Sequence, residues 1–280
     1  MKSFSGEMLG EPINSITYGQ EPKAFEKWHQ IITIKNIKKR HKAIDSLLNT
    51  MITNKETNGF FSAQDEIVIR VFPPCSIKLD DKNLYYDFFD TLKENFETNQ
   101  LKEKPMSELG LISYTIKMVT QNYFGAVPTD LNLRHRLTAI RPDENDNMVV
   151  PSISNLKGRD SAACVELASS AHNLWLLSGN KSYFVHAKDC ALDESQDGHA
   201  FVFVEKPDNF VLYDLARNKL KNIDFNPIEK ILNDKPLVIN NEVYTNARFV
   251  NAKDVTQNQK IDENMANLPQ ETTEVKEVTF

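Results

Sequence analysis

Ser161-Ala162-Ala163-Cys164-Val165-Glu166-Leu167-Ala168 opens an apolar stretch that runs on to Leu177 and stops at Ser178-Gly179-Asn180. The small residues, the periodic Leu167, Ala171, Leu174 and Trp175, and the glycine stop read as one helix over about 161–177. Two strand-like runs follow, Gly198-His199-Ala200-Phe201-Val202-Phe203-Val204 and Phe210-Val211-Leu212-Tyr213-Asp214. Lys206-Pro207-Asp208-Asn209 between them has the composition of a hairpin turn. A helix packed on an antiparallel hairpin makes the expected class α+β.

The same stretch carries chemistry. A cysteine at a helix start feels the positive end of the helix dipole, which favours thiolate over thiol. His199 lies 35 residues after Cys164 (199 − 164) and Asp214 lies 15 after His199 (214 − 199). His199 opens one strand and Asp214 closes the next, so an antiparallel hairpin brings both to the same end of the sheet. In a thiol enzyme the histidine pairs with the thiolate and later donates its proton, while the aspartate fixes the imidazole tautomer. The backbone N–H of Cys164 is the expected oxyanion donor. Alone, each residue has a plainer role: a small core hydrophobe, a polar strand start, a turn former. Their order and topology together point to a Cys164-His199-Asp214 triad.

Outward from this core, strands are expected at 182–187 and near 238–243 and 248–250, and a helix near Pro227 to Leu232. Upstream, one helix is expected over about Pro22 to Met51, a strand over 66–72 ended by Pro73-Pro74, and helices over about 82–98 and 106–124. The chain divides into a mostly helical region over 1–125, a core over 126–250 and an acidic tail over 251–280 expected to be disordered. Residues 125–160, broken by Pro128, Pro142 and Pro151, read as a surface insertion or a wall of the substrate groove.

Composition sets limits. The 280 residues carry a formal net charge of −6, with 40% hydrophobic and 26% charged residues, which describes a globular protein and gives no support to a nucleic-acid platform. The basic run Lys35 to Lys42 reads as a solvated helix face or a site for an acidic partner. No apolar run is long enough to span a membrane, and Met1 to Glu7 lacks a signal-peptide core. Three cysteines, Cys75, Cys164 and Cys190, make no disulfide framework, so a reducing, cytoplasmic setting is expected, or export without such a signal. No cofactor is called for: G-x-G-x-x-G, the P-loop pattern and G-x-S-x-G are all missing from the sequence.

Other candidates are weaker. Cys190 lies in a polar loop before His199, and Cys75 has no nearby base in sequence. His172 falls two helical turns beyond Cys164, too far for proton transfer. His186 sits within a strand. Cys190, Asp193, Asp197 and His199 have the irregular spacing of a loop rather than that of a metal site.

Residues 158–215 resemble the core of the transglutaminase-like superfamily, a branch of the papain-like cysteine enzymes. The matching features are Ala162-Ala163-Cys164, the helix to Leu177, Gly179, His199-Ala200-Phe201 and Tyr213-Asp214. The resemblance implies a Cys-bearing helix on an antiparallel sheet, and acyl transfer from amide bonds of a protein or peptide through a thioester. Hydrolysis is favoured over amine cross-linking; a non-catalytic interaction protein retaining the fold is the alternative. Ala163, Phe201 and Leu215-Ala216 stand where many members have Gly, Trp and Pro-Thr. The family's upstream oxyanion side chain has no matching motif, and Gln121, Asn122 and Asn155 are the candidates.

Overall fold

The computed structural model describes residues 28–55, 59–63, 65, 67–69, 75–77, 79–125, 153–158, 162, 164–189 and 198–250. The N-terminal arm, most of the 125–160 connection, the Cys190 loop and the acidic tail lie outside the described residues. The elements are α1 (Ile37–Thr53), β1 (Ile67–Ile69), β2 (Cys75–Ile77), α2 (Asn83–Gln100), α3 (Glu108–Phe124), α4 (Ile153–Leu156) and α5 (Cys164–Leu177). After them come β3 (Lys181–Asp189), β4 (Gly198–Glu205), β5 (Phe210–Asp214), β6 (Lys219–Ile223), α6 (Pro227–Leu232), β7 (Leu237–Ile239) and β8 (Glu242–Phe249). Mixed helix and antiparallel sheet make the chain α+β.

The single helix expected over 22–51 is broken among the described residues. Helical residues 28–32 stop, and α1 restarts after Asn36, whose side chain accepts a hydrogen bond from Lys39 N as an N-cap. Lys38, Lys39 and Lys42 are exposed, but Arg40 turns inward, with Nε 2.6 Å from Asp90 Oδ1 and Nη1 donating to the Ile34 carbonyl. The basic run is therefore three solvated lysines on α1 beside one internal ion pair. Of the expected strand over 66–72, the described residues Ile67–Ile69 are β1, which pairs antiparallel with β2.

The main sheet has six antiparallel strands in the order β6-β5-β4-β3-β8-β7. Alternation along the strands sorts side chains onto two faces. Ala200, Val202, Val204, Val211 and Tyr213 join α5 and the N-terminal helices in one core, while Phe201, Phe203, Leu212, Tyr244 and Ile231 of α6 form a second core on the other face. Two strands escaped the sequence reading, β2 and β6, and one expected strand proves to be two. β6 is an edge strand with only Leu220 and Ile223 buried, and the run at 238–243 is a hairpin. Asn240 and Asn241 both take positive φ, 51° and 66°, the backbone that two-residue hairpins favour.

α5 was expected to bury one face; instead every residue from Val165 to Leu177 is buried. Two of its polar residues serve as internal fasteners. Asn173 accepts from Phe61 N at 3.0 Å and donates to Phe61 O and to the Tyr85 hydroxyl. His172 bridges the Gly59 carbonyl (3.0 Å) and Ser182 Oγ (2.9 Å). Nε2 must carry the proton to meet a carbonyl, leaving Nδ1 to accept from Ser182.

Burial lowers the His172 pKa to about 4, the hydrogen bond to Gly59 opposing only in part. The unfolded chain then binds a proton here that the folded chain does not, so stability falls as pH drops from about 6.5 towards 4. The expected loss is about 3 kcal/mol. Urea midpoints measured across that range for the native chain and for His172→Gln should diverge; parallel curves would rule the effect out.

Candidate active site

Strand register assembles two of the three candidate residues. Val202 pairs with Tyr213, so Phe201 stands opposite Asp214, and His199 is the diagonal neighbour on the same face. His199 Nε2 lies 2.7 Å from Asp214 Oδ2. The other carboxylate oxygen accepts the backbone N–H of Arg217 at 3.1 Å, within the turn that links β5 to β6. Asn218 completes that turn with φ of 56° and accepts a hydrogen bond from Lys117 Nζ of α3. Both acceptor atoms of a nearly inaccessible carboxylate (1% exposed) are thus matched to donors.

Cys164 arrives from the other side. α5 lies against the opposite face of the sheet, and its first residue is half-buried at the end where β4 starts and β5 stops. The Cys164 sulfur hydrogen-bonds to the His199 ring. Since Nε2 is committed to Asp214, Nδ1 is the ring nitrogen left for sulfur. Burial disfavours a charged His199, but hydrogen bonds to Asp214 and Cys164 and attraction to both outweigh it and raise its pKa to about 9. At neutral pH the ring is therefore protonated, which places a cation beside the sulfur.

Two aromatic rings bracket the imidazole. Tyr244 of β8 is stacked on it at 6.5 Å between centroids and 24° between planes, and Phe201 sits at 5.8 Å. The start of β4 is also fitted closely: a Cβ at Gly198 would stand 2.2 Å from His186 Nε2 across the β3–β4 pair. His186 is thus packed against the strand that carries His199, and His172 is a fastener remote from sulfur.

Gln121 and Asn122 are exposed on the last turn of α3. The side chains of Asn155 and Cys75 and all of Cys190, Asp193 and Asp197 lie outside the described residues. Among the described residues no group of three or more His, Cys, Asp and Glu side chains could hold a metal ion, and no helix is long and apolar enough to cross a membrane. Sequence reading missed Tyr244 and Arg217, because nothing in a strand tyrosine or a turn arginine announces a neighbour so far away in the chain.

Comparison of the chain with protein-family models, with curated proteins and with solved structures gives no match.

Proposed function

We propose that this chain is a cysteine-dependent acyl-transfer enzyme with a papain-like, transglutaminase-type core, acting on amide bonds of a protein or peptide. The observation that carries the reading is the continuous hydrogen-bonded chain Cys164–His199–Asp214 with His199 held protonated at neutral pH. A thiolate–imidazolium pair with its histidine buried has no structural purpose that an apolar pair would not serve better. It is what nucleophilic attack on a carbonyl requires.

In the first half-reaction the Cys164 thiolate attacks the amide carbon. The first N–H groups of α5, which have no partner within the helix, face the developing oxyanion. His199 gives its proton to the departing nitrogen, leaving a thioester and a neutral imidazole. Asp214 keeps the ring oriented throughout. In the second half-reaction His199 takes a proton from water as it attacks the thioester, releasing acid and restoring the pair. Water is favoured over an amine as acceptor because it needs no second binding site.

Two measurements test this reading. Limiting iodoacetamide at about pH 6 should label Cys164 well ahead of Cys75 and Cys190, because only a thiolate reacts at that pH. Equal, slow labelling of all three would end the proposal. A screen of candidate proteins should then score free ammonia, new N-termini and cross-linked products, with Cys164→Ala as control. Ammonia alone identifies an amidase, new N-termini a protease, and cross-links the amine-acceptor reaction.

A further inference from the structure

The six-stranded sheet does not lie flat. β6 and β8 are four places apart in the strand order, which in an open sheet puts them about 19 Å apart. Yet Lys219, at the start of β6, is ion-paired with Glu242 at the start of β8. Arg217, two residues before Lys219, donates from Nη1 to the Tyr244 hydroxyl at 3.0 Å and lies 3.6 Å from Glu242 Oε2. The Tyr244 hydroxyl in turn donates to Glu242 Oε2 at 2.8 Å. The sheet therefore curls around its second core, and these four side chains clasp its two sides at the end where His199 and Asp214 sit.

Both ends of the clasp touch the candidate site. The backbone N–H of Arg217 holds Asp214 Oδ1, and the ring of Tyr244 lies over His199. We propose that Tyr244, Arg217 and Glu242 are positioning residues: by tying the β5–β6 turn to the start of β8 they fix Asp214 and the His199 ring in the geometry that meets Cys164. The clasp has its catalytic meaning only under the thiol-enzyme reading, although its existence as a device that sets His199 does not depend on turnover.

The charged and titratable groups around His199 are Cys164 from α5, Asp214 from β5, Arg217 and Lys219 from the turn and β6, and Tyr244 and Glu242 from β8. From β3 the cross-strand neighbour is Ala187, which carries no charge, and it is flanked by Lys188, opposite Gly198, and by His186, whose ring lies against Gly198.

The test is the titration of the His199 ring in the full chain, followed by carbon-edited NMR and assigned with His199→Gln. The native ring should titrate near 9. Tyr244→Phe keeps the ring and the net charge but removes the hydroxyl that joins Arg217 to Glu242. Arg217→Ala removes a positive charge, which by electrostatics alone would raise the His199 pKa; loss of positioning lowers it. The expected result is a fall of about one unit in each variant, a tenfold loss of proton affinity. The double variant should fall no further, because both changes open the same clasp. Melting curves and near-ultraviolet dichroism report folding separately. Folded variants with an unmoved or raised titration would overturn the proposal. A lowered titration without fast Cys164 alkylation in the native chain would uphold the clasp and reject the enzyme reading. Glu242→Gln, at a half-buried position, serves as a second probe should Arg217→Ala not fold.

Discussion

His199→Ala is expected to lower turnover by about a thousandfold or more, and to slow Cys164 alkylation at about pH 6 by roughly a hundredfold. Two losses combine in this one change. The thiolate loses the cation that stabilises it, so sulfur returns towards an ordinary thiol. The leaving nitrogen loses its proton donor, a defect that acts only on turnover. Alkylation at about pH 9, where a free thiol ionises unaided, should then nearly recover, whereas turnover should not. Intact-mass kinetics at the two pH values, beside a turnover assay on the substrate found by screening, separate the two. Equal alkylation of the native and substituted chains at the lower pH would show that His199 does not charge the sulfur.

The same pair predicts the pH profile. His199 is raised from 6.5 to about 9, so the proton that leaves on the amine is present below that value and is lost as pH rises through it. Turnover should have an alkaline limb near 9, and His199→Ala should lack it. The linkage to folding has the matching sign. The ion pair stabilises the fold fully below the unfolded value of 6.5, and that contribution decays as pH rises through about 9.

The parts of this site that sequence could convey were those set by short-range rules. Ser178-Gly179-Asn180 ends α5, Lys206-Pro207-Asp208-Asn209 turns β4 into β5, and alternation then puts His199 and Asp214 on one face at one end. The break between residue 32 and Ile37 was hidden because the apolar spacing continues across it, and only the Asn36 cap reveals the restart. β6 was hidden because an edge strand buries too little to show alternation. The clasp had no signal at all. Arg217 and Tyr244 are 27 residues apart, and they meet only because the whole sheet curls.

α5 shows the limit from another direction. The apolar periodicity of Leu167, Ala171, Leu174 and Trp175 marks one buried face, yet Ser169, Ser170, His172 and Asn173 are buried as well. The helix is enclosed by the sheet on one side and by the N-terminal helices and the segment at 59–62 on the other. His172 and Asn173 are tolerated there because they satisfy backbone groups at Gly59 and Phe61 outside the helix.

Asn173 is the clearest instance, and Asn173→Ala should be the most damaging substitution for stability outside the site. Its amide does for the Phe61 backbone what a neighbouring strand would do, accepting from N–H and donating to C=O. Its second amide hydrogen meets Tyr85, whose phenol burial holds neutral, above the ordinary range. Alanine strands three buried polar groups at once and leaves a void where water is excluded. At about 1–3 kcal/mol for each unsatisfied group, relieved in part by local shifts, the expected cost is about 4 kcal/mol. That is a large share of the 5–15 kcal/mol typical of a folded domain, and corresponds to a melting point lower by about 10 °C. Amide exchange at Phe61 should accelerate even in the folded variant, since its N–H has lost the acceptor Asn173 Oδ1. Asn173→Asp keeps the acceptor but removes both donors and adds a buried charge, so it should be no better than alanine near neutral pH and should improve as acid protonates it. A melting point within about 2 °C of the native chain for Asn173→Ala would mean that the 59–62 segment is held by its aromatic packing on His172 and Phe184 instead.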